Sequence, residues 1–284
     1  MEKLGDCPKT ISELVMNTSG IITITTDFGL SDPYVAMMKG VILSINPDAC
    51  LVDISHQIRA GSIFQAASLV FETYPFFPGG TVHLAVIDPG VGSDRRLIGL
   101  KSEGHFFIGP DNGIFWPVIE EHQETIIIHL TENRFFLPSV SHTFHGREVF
   151  APVAGHLSLG VDLTLMGPRI NNPVELNIPM PQIKEDILYG QVMRVDNFGN
   201  LITNIHRREL ELFLESVQPV IKVGDLLIEK LSHIYADTEQ GEPLALINSS
   251  DLLEIAVNLG RATDYLGMDS GETIGAEVKV SRHH

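Results

Sequence analysis

Val82 to Ile87 is an apolar run that stops abruptly at Asp88, and a loop of Pro89, Gly90 and Gly92 follows before the charged cluster Asp94, Arg95, Arg96. A short β-branched run of this kind reads as a buried strand, and one that ends in a carboxylate delivers that carboxylate to the strand's C-terminal edge. The glycines let the backbone fold back close to whatever binds there. Two further runs have the same form. Ile21 to Thr25 runs into Thr26-Asp27-Phe28-Gly29-Leu30-Ser31-Asp32-Pro33, and Cys50 to Ile54 carries Asp53 ahead of Ser55 and His56. Between them, Val35 to Ile45 and Ser62 to Tyr74 have helical spacing. Strands alternating with helices predict an α/β fold with a mainly parallel sheet, whose ligands bind outside the carboxyl ends of the strands.

The same half continues with a hairpin of Leu97 to Lys101 and His105 to Ile108, and a strand at Thr125 to Leu130. Thr143-Phe144-His145-Gly146-Arg147-Glu148 then precedes a helix reaching about Leu159. Proline and asparagine thicken after Pro168, and beyond them short β-branched runs dominate: 190–195, 201–205, 220–223, 244–247 and 274–280. Only 207–214 and 261–266 have helical spacing there. The expectation is an N-terminal α/β domain over 1–178, a linker over 179–186 and a small C-terminal β-barrel domain over 187–284. Residues 1 to 19 are polar and mixed and read as a loose arm.

Composition limits the partners. Against 36 acidic residues stand 19 Lys and Arg, a net charge of −17, which repels nucleic acid and anionic membrane surfaces and favours a cationic ligand. The two cysteines, Cys7 and Cys50, are too far apart for a zinc pair and form no disulfide framework, which suits a reducing cytoplasm. No apolar run approaches the length of a membrane span and no signal peptide is visible. No metal site is expected.

Four separated motifs, Thr26-Asp-Phe-Gly-x-x-Asp32, Asp88-Pro-Gly-Val-Gly-x-x-Arg95, Thr143-Phe-His-Gly-Arg147 and Asp196-x-Phe-Gly-Asn200, occur in order, with Asn248-Ser249 and Leu253-Glu-Ile-Ala-Val-Asn258 after them. Together, from about Ile21 to Val280, they resemble the S-adenosyl-L-methionine hydroxide adenosyltransferases (SAM hydrolases), relatives of the fluorinating and chlorinating enzymes. The resemblance implies cleavage of S-adenosylmethionine to adenosine and L-methionine by water or hydroxide at the ribose 5′ carbon. It implies no cofactor, and a homotrimer with its sites between subunits. It puts Asp88, Arg95 and His145 around the attacking water. Asp27 would accept the ribose hydroxyls, Asp32 and Asp196 would lie near the methionine moiety, and Asn200 would read the adenine edge. Ser249 would meet the methionine carboxylate. Glu254 and the backbone near Ala256 and Val257 would close the adenine side, with Tyr235 as an aromatic platform beneath the base.

Each motif also has a plainer reading. Asp27 and Asp32 could be turn or helix-cap residues, His145 a cap, and Asp196 to Asn200 a hairpin turn. One departure from the family pattern is Asp251, where a glycine able to adopt positive φ is expected. A halide-using adenosyltransferase is disfavoured, since a fixed carboxylate beside the nucleophile repels halide and Gly146 stands where a fluorinating enzyme has serine. A non-catalytic sensor of S-adenosylmethionine or adenosine would need no base and so no Asp88, Arg95 and His145 set.

Overall fold

In the computed structural model, which describes residues 18–268 and 270–283, the chain divides into two compact units, one ending at Leu176 and the other starting at Asn177. Cys7 and nearly all of the N-terminal arm lie outside the described residues.

In the first unit, alternation sets the layers. Ile22 and Ile24 of β1 (Ile21–Thr26) and Val82, Leu84 and Val86 of β3 (Val82–Val86) face one core, with Met38 and Ile42 of α1 (Tyr34–Ile45). Ala85 faces the opposite core, with Ala66 and Val70 of α2 (Ile63–Thr73) and Val118 of α3 (Trp116–Glu121). Both faces of the sheet are therefore covered, which is why its strands read as near-continuous apolar runs. The strand order is β2-β1-β3-β5-β4-β6-β7, with β2 (Cys50–Ser55), β4 (Leu97–Ser102), β5 (His105–Pro110), β6 (Ile126–His129) and β7 (Arg169–Ile170) completing the sheet. The β2-β1-β3-β5 part is parallel, and the hairpin partner β4 with β6 and β7 adds an antiparallel edge.

After His145 the chain is not a plain α-helix. Residues Gly146–Phe150 form a π-turn before α4 (Ala151–Ser158), and the amide of Ala151 bonds to the carbonyl of Gly146. Pro152 supplies a reason: it has no N–H to give to the carbonyl of Glu148 four residues back. That carbonyl accepts from the amide of Leu137 instead, at 2.9 Å.

The second unit is an eight-stranded antiparallel sheet, ordered β12-β11-β15-β9-β10-β14-β13 with β8 also on β9. Its strands are β8 (Gln182–Lys184), β9 (Ile187–Val195), β10 (Leu201–His206), β11 (Pro219–Val223), β12 (Leu226–Ile228), β13 (Pro243–Ile247), β14 (Leu252–Val257) and β15 (Glu277–Arg282). A bridge from Leu231 to Ala245 draws the chain after β12 onto β13, so the ends of the sheet curl towards each other, barrel-like. The stretch expected as a bare linker carries β8, turned onto β9 through Glu185 and Asp186, both at positive φ. Three residues are too few to show alternation, and the turn lacks the usual Asn-Gly signal.

Candidate active site

Two loops leave the same end of the parallel strands β1 and β3, and a third, leading into the π-turn, meets them there. Asp27 follows β1, Asp88 follows β3 and its short extension, and His145 opens the π-turn. The loops are fastened to one another. Asp27 Oδ2 accepts from the amide of Gly61 at 2.8 Å. Phe28, Tyr34 and Phe144 meet edge to face with centroids 5.3–5.9 Å apart, which packs the Asp27 loop onto the residue before His145. At Gly92, with φ +81°, a Cβ would come within 2.4 Å of the His142 carbonyl oxygen. Only glycine allows so close an approach between the Asp88 and His145 loops.

Where these loops converge, Arg95 grips Asp88 with two donors, Nε to Oδ1 and Nη2 to Oδ2. The side chains are 9% and 5% exposed, so this is a buried, bidentate pair of the strong kind. Arg95 Nη2 also lies 3.0 Å from His145 Nδ1. A guanidinium only donates, so Nδ1 accepts and the neutral ring carries its proton on Nε2. Burial, then the Arg95 charge, hold His145 below the usual imidazole value; Asp88, a hydrogen bond to the Ser141 backbone and Glu148 pull the other way. At neutral pH the ring is therefore uncharged. Arg95 Nη1 is buried and, among the described residues, has no hydrogen-bond partner.

The capping readings do not hold for two residues. The N-cap of α1 is Pro33, with no side-chain bond, and Asp32 is exposed in the turn before it. His145 caps no helix with its ring. Asp53 is not a site residue: it lies inside β2, with Oδ2 2.6 Å from Lys39 Nζ and Oδ1 3.0 Å from His56.

The second unit holds the other named residues. Asp196 to Asn200 is indeed the turn between β9 and β10. Asp196 Oδ1 accepts from the amides of Phe198 and Asn200, both at 2.9 Å, and Oδ2 from Asn200 Nδ2 at 3.0 Å. The buried Asn200 amide is thereby held in one orientation. Asp196, Phe198, Tyr235, Ser249, Glu254 and Arg194 line a cleft of about 460 Å³. Tyr235 donates its hydroxyl to Glu254 Oε1 at 2.7 Å. Burial of the phenol, then that bond and the nearby charges, push Tyr235 far above the usual phenol value, so it stays a donor. Ala256 and Val257 are buried β14 residues packed in the core, leaving only backbone to offer a ligand. Asp251 does adopt positive φ, +58°, and its carboxylate takes Arg207 Nε at 2.7 Å. Aspartate tolerates the left-handed region better than most residues, which is how it stands in for glycine.

Ser141 and Glu148 were not singled out from the sequence. The only hint was a second acid three residues after His145. Among the described residues no cluster of three or more His, Cys, Asp or Glu is placed to hold a metal ion, and no helix is long and apolar enough to cross a membrane.

Residues 22–167 match the SAM hydroxide adenosyltransferase N-terminal domain, and residues 190–275 match the C-terminal domain of the same family. The chain belongs to the SAM hydroxide adenosyltransferase family. It is 36% identical to the (R)-S-adenosyl-L-methionine hydrolase of Thermus thermophilus over 87% of this chain and 95% of that protein. To the protein of that name from Salinispora tropica it is 34% identical, over 89% and 96%. A fluorinase from an Actinoplanes species is more distant, at 28% over 91% and 97%. Among solved structures, an uncharacterized conserved protein from Thermotoga maritima superposes with a TM-score of 0.84 at 34% identity, covering 92% of this chain and 100% of that one.

Proposed function

We propose that this member of the family hydrolyses S-adenosyl-L-methionine to adenosine and L-methionine. The observation that carries the reading is the buried Asp88–Arg95–His145 unit at the strand ends. The water oxygen bonds to the ribose 5′ carbon while the carbon–sulfur bond breaks and its electron pair returns to sulfur. Methionine departs as a neutral thioether and needs no acid. The difficulty lies with the nucleophile, whose proton must leave as the bond forms.

The Asp88 carboxylate supplies acceptor oxygens for a water, with its position fixed by the Nε and Nη2 edge of Arg95. The proton passes to a carboxylate oxygen of Asp88, because the neutral His145 carries its own proton on Nε2 and turns its Nδ1 lone pair to Arg95. Holding the reactants in line can contribute up to about 7–11 kcal/mol, and general-base assistance about 10²–10⁴-fold. No cofactor enters this scheme, since the sulfonium brings its own leaving group. Asp27 takes the ribose hydroxyls and Asp32 lies toward the methionine ammonium.

The cleft of the second unit takes adenine and the methionine carboxylate, with Tyr235 offering an aromatic face and Ser249 a hydroxyl, while Asn200 holds the cleft's Asp196 from behind through its amide and reads adenine from the turn beside it. We place the enzyme in the cytoplasm as a homotrimer in which one copy's reacting groups meet a neighbour's cleft. In support, the base and the cleft lined by Asp196, Tyr235 and Ser249 belong to different compact units. Mixing and re-associating Asp88→Ala copies with Asn200→Ala copies should restore activity well above either alone. No recovery from a re-associated mixture would reject the shared site.

Incubation with S-adenosylmethionine in ¹⁸O-labelled water should give adenosine carrying the label in its 5′ hydroxyl, together with methionine. Binding without turnover would make the protein a sensor. A 5′-halo-adenosine formed in saline would make it a halide enzyme, a reading that the Asp88 carboxylate opposes.

A further inference from the structure

Glu148 is 2% exposed, yet it does not touch Asp88 or Arg95. It sits on the π-turn three residues beyond His145 and reaches back over the loop that leads into it. Its Oε2 accepts from both the amide of Ser141, at 2.6 Å, and the Ser141 hydroxyl, at 2.8 Å. Its Oε1 takes Arg147, whose guanidinium lies over the Phe144 ring at 4.9 Å. Ser141 opens the short loop that ends in His145, four residues on. From the other side, the 141–145 loop is pressed by Gly92 through His142. A buried carboxylate is costly unless hydrogen-bonded, and this one is bonded on one oxygen to the loop through Ser141 and on the other to Arg147. Burial alone would raise Glu148, but the bonds from Arg147 and Ser141 hold it below the usual carboxylate value, so it is charged at neutral pH.

We propose that Glu148 is a positioning residue for His145: by gripping Ser141 at two points it fixes the loop that carries the imidazole, and so fixes which ring nitrogen faces Arg95. The proposal concerns the ring itself, and only its kinetic consequence rests on the hydrolase reading. Without the grip, the 141–145 loop is free to let the ring turn or change tautomer, and Nδ1 no longer meets Arg95 reliably. The π-turn suits this purpose, since it brings residue 148 over residue 141 instead of winding it away, and such turns recur at functional sites.

The test reads the ring directly. Nitrogen-15 NMR of the histidine-labelled protein, at neutral pH and without substrate, should show His145 Nδ1 as unprotonated in the parent. In Glu148→Gln and in Ser141→Ala the signal should move towards a mixture of tautomers. Ser141→Ala is a loop substitution that keeps the protein folded even if Glu148→Gln does not. In the hydrolysis assay the folded variants should lose about tenfold in kcat with KM changed less than about twofold, whereas a merely structural role would lower the melting temperature and leave the His145 signal alone. An unchanged His145 tautomer in the folded variants overturns the proposal, whatever reaction the enzyme catalyses.

Discussion

At the scale of the residue, the buried Asp88–Arg95 pair has two consequences that can be separated by measurement. Asp88→Asn keeps the shape and one acceptor but removes the charge beside the nucleophile. We expect kcat to fall by about 10²–10⁴, the usual range for a lost general base, with KM moved only a few-fold. Removing one partner of a buried pair also destabilises, by about 3–5 kcal/mol where the other charge is left alone, so the melting curve must be followed alongside. Asp27→Ala should do the reverse: it touches the Gly61 amide rather than the Asp88 unit, and the loss should appear mainly as weaker binding of ribose-containing ligands. An Asp88→Asn enzyme with unimpaired kcat would remove Asp88 from the mechanism. Asp88 could be read from the chain as a carboxylate at a strand end before a glycine loop, but its grouping with Arg95 and His145 came from the family resemblance, because a contact across fifty residues leaves no local pattern. Asp196 was readable only in part. Its motif reads as a hairpin turn and the resemblance sets it near the methionine moiety, but its three bonds across the Phe198–Asn200 turn depend on a local geometry that letters alone do not give.

At the scale of the element, the site is a matter of how closely two loops approach. Gly92→Ala forces a side chain into φ +81° and to within 2.4 Å of a backbone oxygen that cannot swing aside as a side chain would. The left-handed backbone alone costs about 1–2 kcal/mol for an alanine, and the overlap moves the 141–145 loop. Stability should therefore drop and kcat should fall with it, because the loops on either side carry Asp88 and His145. A variant that keeps full kcat would show that this contact does not set the site. The parallel strands, α1, α2 and α5 (Arg207–Leu214) were legible because their periodicity is long and is reinforced by packing on a face. The π-turn was not: Pro152 marks it, but whether the freed Glu148 carbonyl finds another donor depends on Leu137, eleven residues upstream. For the same reason β7, β8 and β12, of two or three residues each, exist only through their partners.

At the scale of the whole molecule, the first unit stores a second cluster of titratable groups away from the Asp88 unit. His83 of β3 is 3% exposed; its Nδ1 lies 2.9 Å from Thr23 Oγ1 and its Nε2 3.2 Å from His105 Nδ1, while the ring stacks on Phe107. Burial, and then the charge His105 would carry, lower His83 from 6.5 to about 3. The folded protein thus keeps this ring neutral at pH values where the unfolded chain protonates it. Its contribution to stability is complete above pH 6.5 and is lost progressively as pH falls towards about 3, because over that window the unfolded state binds the extra proton. One proton corresponds to a slope of about 1.4 kcal/mol per pH unit. Urea titrations between pH 7 and pH 4 should therefore show stability declining on acidification. His83→Gln, which retains hydrogen bonding without a titrating ring, should be less stable at pH 7 yet show a slope smaller by about that amount near pH 5. His105 and His156, also lowered by burial, leave a residual slope in the variant, so the comparison rests on the difference between the two proteins. Equal slopes would mean that His83 is protonated in the folded state as readily as in the unfolded one, and that the hydrogen bonds to Thr23 and His105 accommodate a charge.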